Sequence, residues 1–160
     1  MKPEPTQQIK TSKMKSHSPL TMTYPFVQRK EKALALEIYQ TLQTLYSEEG
    51  TWNSGWFAAQ RDGRSCSFAS KDAVSFDLIG AIGRICLALK DREVPPRLVS
   101  RAQSLVTWSL IDAVWRSGED TPHIKSPLVN WNDNVCTSRF DALQMVQSGQ
   151  KLLQEKVEVH

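Results

Sequence analysis

The sequence predicts a mainly α-helical fold: a compact bundle of about four helices, a short β-hairpin between the first and second, and a disordered basic N-terminal arm. Three observations carry this expectation. Apolar residues recur at helical spacing in four separate stretches. An Asp-Gly turn sits in the one interval where that spacing lapses. Positive charge gathers at the N-terminus, where residues 1–30 hold six Lys and Arg side chains against Glu4 alone.

The first helix is expected from Glu31. Leu34, Ile38, Leu42 and Leu45 recur at steps of four, four and three, and Ala35, Tyr39 and Tyr46 widen the stripe into one broad buried face. Gly50 stands where such a helix stops. Turn formers and large aromatics then mix in Thr51-Trp52-Asn53-Ser54-Gly55-Trp56-Phe57. Asp62-Gly63 lies between residues 56–60 and 65–68 and predicts a two-stranded ribbon. A lone ribbon is marginal in water, so its Trp and Phe side chains are expected to dock on the helices.

Residues 73–89 are apolar at most positions, with Val74, Leu78, Ile82, Ile85 and Leu89 in one stripe and Ile79 and Cys86 on another face. This pattern predicts a helix nearly surrounded by protein, with Asp72 as its N-cap. Gly80 and Gly83 each cost roughly 1 kcal/mol of helix propensity relative to Ala, which points to a neighbouring helix or ring in close approach. Pro95-Pro96 opens the next helix, about residues 96–115, because Pro is tolerated in a first turn. Val99, Ala102, Val106, Leu110 and Ala113 form its inner side, and Leu105, Trp108, Ile111 and Trp115 form a second strip read as core. Arg97, Arg101, Ser104 and Asp112 make a narrow polar face. Residues 116–129 read as a long connection, and connections of that length are often functional. The last helix is expected from about Ser138 to Glu155, with Ser138 and Asp141 in a capping-box arrangement and Phe140, Leu143, Val146 and Leu153 facing inward.

Composition narrows the function classes. A 160-residue chain with 40 % hydrophobic residues suits one domain and excludes collagen-like, disulfide-dense and fully disordered chains. The arm, residues 1–30, carries +5 within a net charge of +3, so residues 31–156, read as a single helical domain, offer no basic face of the kind nucleic-acid binders use. No apolar run reaches the roughly 20 residues that span a bilayer, and no signal-type apolar stretch follows the basic residues. Cys66, Cys86 and Cys136 are odd in number and widely spaced, which reads as free thiols in a reducing cytoplasm, with no metal site and no cofactor.

No phosphate loop, HExxH or GxSxG motif is present, and Cys66, His123 and Asp133 supply the residue types of a thiol hydrolase without any supporting spacing. The densest polar constellation is Asn130-Trp131-Asn132-Asp133-Asn134. One reading is a rigid turn in which Trp131 plugs the core and the polar groups satisfy loop amides. The other is a binding site in which Asn132 and Asp133 face a groove closed by residues 116–129, which hold His123.

Several features stand in order along the chain: Gly55-Trp56, Asp62-Gly63-Arg64, residues 73–82 ending in Gly80-Ala81-Ile82, Trp131-Asn132-Asp133, and the capped segment Thr137-Ser138-Arg139-Phe140-Asp141. In this the chain resembles a family of small uncharacterised bacterial and phage proteins, a domain of unknown function, over about residues 31–155. The resemblance implies that Trp56, Gly80, Trp131, Asn132 and Asp133 belong to one spatial cluster. It departs from the family pattern at Asp77 or Leu78, where members often carry Cys, and at Cys136, where they often carry Arg.

The expected function is a non-enzymatic adaptor or regulator that binds another protein, with Trp56, His123, Trp131, Asn132 and Asp133 as candidate binding residues. A different class is a small-ligand binder or enzyme using residues 116–129 with Asn132 and Asp133. A third is weak nucleic-acid contact through residues 1–30, which would be strongly salt-dependent.

Overall fold

Three long helices packed against one another form the body of the protein. The computed structural model describes Tyr24, residues 27–118 and residues 126–159. Helix α1 spans Arg29–Ser47, α2 Leu78–Asp91, α3 Pro96–Arg116, α4 Pro127–Asn130 and α5 Arg139–Lys156. A π-helical turn, Trp131–Val135, follows α4 directly. Helices α1, α3 and α5 make the broadest contacts, and α2 packs on α1 and α3. The expectations for the basic arm fall mostly outside the described residues. Among those described, Tyr24 donates its hydroxyl to Asp112 Oδ2 (3.1 Å), and buried Val27 pairs in parallel with Val159 beside the C-terminus.

Helix α1 begins two residues before the expected start because the Gln28 N–H donates to Glu31 Oε2 (3.1 Å), a reciprocal cap. Its buried face is Leu34, Ala35, Ile38, Tyr39, Leu42 and Tyr46, as the periodicity predicts, while Leu45 at the edge of the stripe is half-buried. Past its end Gly50 adopts a left-handed φ of 72°.

The ribbon between α1 and α2 is present and more interwoven than a simple hairpin. Strands β1 (Ala58–Ala59) and β2 (Ser75–Phe76) pair antiparallel, with Ala58 opposite Phe76. Around the Asp62-Gly63 turn the other side of Ala59 bridges to Ser65, and Phe76 bridges to Trp52. Ser75 and Phe76 are therefore strand, with Ala73 and Val74 leading into it, and none of the four belongs to the first turn of α2. The helix starts at Leu78 on Asp77, whose Oδ1 accepts from the Gly80 N–H (2.6 Å), and Asp72 caps nothing there. A short, mostly apolar stretch reads equally well at either period, and the β1 partner decides it.

Both glycines of α2 meet close neighbours. A Cβ on Gly80 would overlap the carbonyl oxygen of Phe57, and one on Gly83 would lie 3.0 Å from the Phe68 ring. Gly149 does the same for α5, where a Cβ would stand 2.5 Å from Tyr39 Oη and 2.8 Å from Leu110 Cδ2. Helix α5 is capped by the Ser138 side chain as expected, but Asp141 reaches back to the Thr137 N–H (3.0 Å) and hydroxyl (2.7 Å).

Three orientations differ from the sequence reading. Phe140 is 66 % exposed, with the Arg139 guanidinium 4.3 Å above its ring, while Ala142, Met145, Val146, Gly149 and Leu153 face the core. Trp108 is 56 % exposed because α3 buries one arc against α1 and α5, and Trp108 stands almost opposite Val106 on the helix. Asp112 is buried instead of polar-face, since Tyr24 and Arg116 (2.9 Å) bond its carboxylate and Lys156 stands nearby. Among the described residues no helix is long and apolar enough to cross a membrane.

Candidate functional site

One side-chain amide ties the segment between α1 and β1 to both the N-terminus of α2 and the π-helical turn. Asn132, fully buried in the π-helical turn, accepts at Oδ1 from Trp52 Nε1–H (2.9 Å) and from the Leu78 N–H (3.3 Å). Its Nδ2 donates to the Asn53 carbonyl (3.0 Å) and to Asp133 Oδ1 (3.1 Å). Both donors and both acceptor lone pairs of the amide are thus occupied. Asp133 Oδ1 also accepts from the Gly55 N–H (2.8 Å), and Gly55 sits at a φ of 89°, where a side chain is strained. The amide therefore joins three segments: the loop at residues 52–55, the N-terminus of α2 and the π-helical turn. The π turn brings consecutive residues into closer angular register than an α turn, so that Trp131 and Asn132 both point inward.

Asp77 stands beside this clasp. It is 2 % exposed, and its N–H donates to the Phe57 carbonyl (3.3 Å). Burial, with a contribution from the charge of Asp133, pushes its carboxyl up to about 6, against the opposing help of the Gly80 and Ile79 N–H groups. The Tyr46 phenol is held well above its ordinary value by burial, with a contribution from the charge of Asp77. Its hydroxyl donates to the Phe76 carbonyl (3.2 Å).

With its backbone fixed at Gly55, Phe57 and Ala58, the loop turns two large aromatics outward. Trp56 is 55 % exposed and Phe57 is 53 % exposed, although the sequence reading docks such side chains on the helices. The small Ala58 and Ala59 enter the core instead, and Trp52 and Phe68 supply the aromatic packing beneath. What docks at residue 57 is the main chain against Gly80, which leaves the ring on the surface.

The chain belongs to the family of unknown function DUF6197. The match covers residues 32–150, which include every member of the clasp from Trp52 to Asp133. No curated protein and no solved structure matches the chain.

Within the family domain, the structure brings Trp131, Asn132 and Asp133 together with Gly80 and the loop that bears Trp56. Trp131 is buried in the core. His123 lies outside the described residues, as do residues 119–125 of the long connection, whose end forms α4. The sequence reading did not single out Trp52, Asn53 or Asp77 as members of the cluster. Asp77 carried a usable signal, a short acid three residues before Gly80 at the head of an apolar helical run. Asn53 carried none, because its part is played by its backbone carbonyl.

The remaining candidates for chemistry stand apart. Cys86 and Cys136 are buried, and burial pushes both thiols up to about 11, which keeps them protonated and poor nucleophiles. Among the described residues no group of three or more His, Cys, Asp and Glu is placed to hold a metal. A groove of about 470 Å³ runs between α1 and α2, lined by Ile38, Leu45, Val74, Phe76, Ile85 and Leu89 among others. Neither Asn132 nor Asp133 lines it.

Proposed function

We propose that this domain is a non-enzymatic protein-binding module whose contact surface is the aromatic loop at Trp56 and Phe57. The observation that carries the reading is the combination of exposed rings with a fixed backbone: both side chains are more than half exposed while Gly55, Phe57 and Ala58 are bonded to the body. Trp is enriched at the energetic centres of protein interfaces, and a pre-organised loop forfeits less ordering entropy on binding. The other exposed aromatics stand singly: Phe140 has the Arg139 guanidinium over one face of its ring, and Trp108 has no aromatic neighbour in sequence, whereas Trp56 and Phe57 are adjacent. The three free cysteines fit a reducing compartment, and we place the protein in the cytoplasm.

The ligand-binding alternative at Asn132 and Asp133 finds less support, because the Asn132 amide has no capacity left for a ligand. The test is a nuclease-treated capture from lysate of the source cells, comparing wild type with Trp56→Ser/Phe57→Ser and with Trp108→Ser. A stoichiometric protein partner lost only with the loop variant supports the reading. Equal capture by all three proteins contradicts it.

A further inference from the structure

We infer that the aromatic loop receives an arginine side chain of its partner, with the guanidinium laid against the Trp56 and Phe57 rings and paired with the free oxygen of Asp133. This names the kind of partner and rests on the reading of the loop as the contact surface. The backbone ties a carboxylate to the rings. Asp133 Oδ1 accepts from the N–H of Gly55 (2.8 Å), the residue before Trp56, and from Asn132 Nδ2 (3.1 Å). Among the described residues nothing donates to Oδ2 of the same half-buried side chain. The acid is thus anchored by one oxygen and offers the other.

Charge in the segments that build this surface has one sign. Residues 47–60, which bear the rings, hold Glu48 and Glu49 and no Lys, Arg or His, and residues 126–138, which bear Asp133, hold none either. This occurs in a chain whose 20 Lys and Arg outnumber its 17 Asp and Glu. Among the described residues no cation pairs with Asp133, Glu48 or Glu49. Arg84 on α2 is turned to the carbonyls of Phe68 and Ser70, and Arg139 to those of Tyr46 and Ser47. Farther along the ribbon, Arg64 pairs with Asp62 (2.7 Å), and Arg61 and Lys71 line a separate hollow together with Asp62 and Asp72.

Two exposed rings beside an unpaired carboxylate are complementary to a cation supplied from outside. Arginine fits this pair better than lysine. Its planar guanidinium stacks on a ring with one face while its edge N–H groups donate to a carboxylate. Trp and Arg are also the residues enriched at the energetic centres of interfaces. Trp108 supplies the contrast: it is exposed one turn from Asp112, but that carboxylate is buried and already engaged by Tyr24 and Arg116.

The test is an amide and indole NMR titration of the full-length protein with a capped peptide of arginines alternating with glycines, and with its neutral citrulline counterpart. The expected result is a saturable shift of the Trp56 indole N–H and the Gly55 N–H with the arginine peptide and none with citrulline, while the Trp108 indole stays in place. In Asp133→Asn the side-chain oxygen still accepts from Gly55 and Asn132, so the loop stays seated, and the arginine peptide binds about fivefold more weakly. The absence of a saturable shift at Trp56 overturns the inference, as do equal shifts with citrulline or undiminished binding by Asp133→Asn. The capture experiment fails separately: a partner lost with Trp56→Ser/Phe57→Ser but held equally by wild type and Asp133→Asn keeps the loop as contact surface and overturns the arginine.

Discussion

Replacing Gly80 by Ala asks whether the loop backbone is locked onto α2. On helix propensity alone the substitution stabilises by up to about 1 kcal/mol. The new Cβ, however, overlaps the Phe57 carbonyl oxygen and comes within 2.5 Å of its carbon and 3.1 Å of its Cα. The obstruction is main chain, so no side-chain rotation relieves it, and the loop must withdraw. Withdrawal removes the Asp77 N–H bond to Phe57 (3.3 Å) and strains the Gly55–Asp133 bond (2.8 Å) and the Asn132–Asn53 bond (3.0 Å). With each such bond worth about 1 kcal/mol net, the loss is about 3 kcal/mol and the balance is a destabilisation of about 2 kcal/mol. Urea unfolding followed by far-UV circular dichroism reads this as a midpoint lowered by about 1 M. Gly83→Ala is the control: its Cβ meets only the Phe68 ring at 3.0 Å, which can turn aside, and the change stays within about 1 kcal/mol. A Gly80→Ala protein as stable as wild type, or more so, would refute the claim that the loop is seated on the helix.

Further outcomes follow from the same contacts. Gly149→Ala forces α5 away from Tyr39 and Leu110 and is expected to cost about 1–3 kcal/mol in thermal or urea unfolding. Asn132→Ala leaves the Leu78 N–H, the Trp52 indole N–H and the Asn53 carbonyl without partners, for a loss of roughly 3 kcal/mol with an altered Trp emission in the folded state. The pH dependence of stability tests Asp77. Its folded-state carboxyl lies near 6 and its unfolded one near 3.9, so its stabilising proton is fully present below about pH 4 and is lost as pH rises through 6. Asp77→Asn is therefore more stable than wild type at pH 7.5, by on the order of 2 kcal/mol, and the gap closes toward pH 4. Taking the difference between the two proteins removes Asp62 and Asp141, whose hydrogen bonds hold their carboxyls below the ordinary range and which act with the opposite sign.

Features set by neighbours in the chain were legible in the sequence. Pro96 at the head of α3, Ser138 at the head of α5 and the Asp62-Gly63 turn all act through bonds within a few residues, and all stand where the pattern places them. Gly80 and Gly83 announced close neighbours without saying which, and one proved to be a backbone and the other a ring. Orientation was harder to read, because an apolar residue on a helix is buried only if something lies opposite it. Phe140 and Trp108 extend apolar strips on paper, yet α1, α3 and α5 meet along other faces. Asp112 lies on the polar side of its own helix and is buried by Tyr24, 88 residues away, together with Arg116 and Lys156.

The clasp was legible only as composition. Trp131-Asn132-Asp133 stands out as a dense polar group around an aromatic, but its meaning depends on bonds to residues 52–55 and 78, separated by 54 to 80 positions in the chain. Nothing local to residues 130–134 specifies those partners. The exposure of Trp56 and Phe57 was likewise hidden, since it follows from the alanines after them entering the core and from the main-chain contact at Gly80.

Photo-crosslinking from position 57 tests the central claim most directly. A benzoylphenylalanine in place of Phe57 keeps an aromatic at the exposed site, and the same probe at Trp108 reports on an exposed aromatic outside the loop. The account predicts a discrete protein adduct, formed in intact source cells, from position 57 and not from position 108, and its loss when Asn132→Ala releases the loop. An adduct from position 108 with none from position 57 would contradict it.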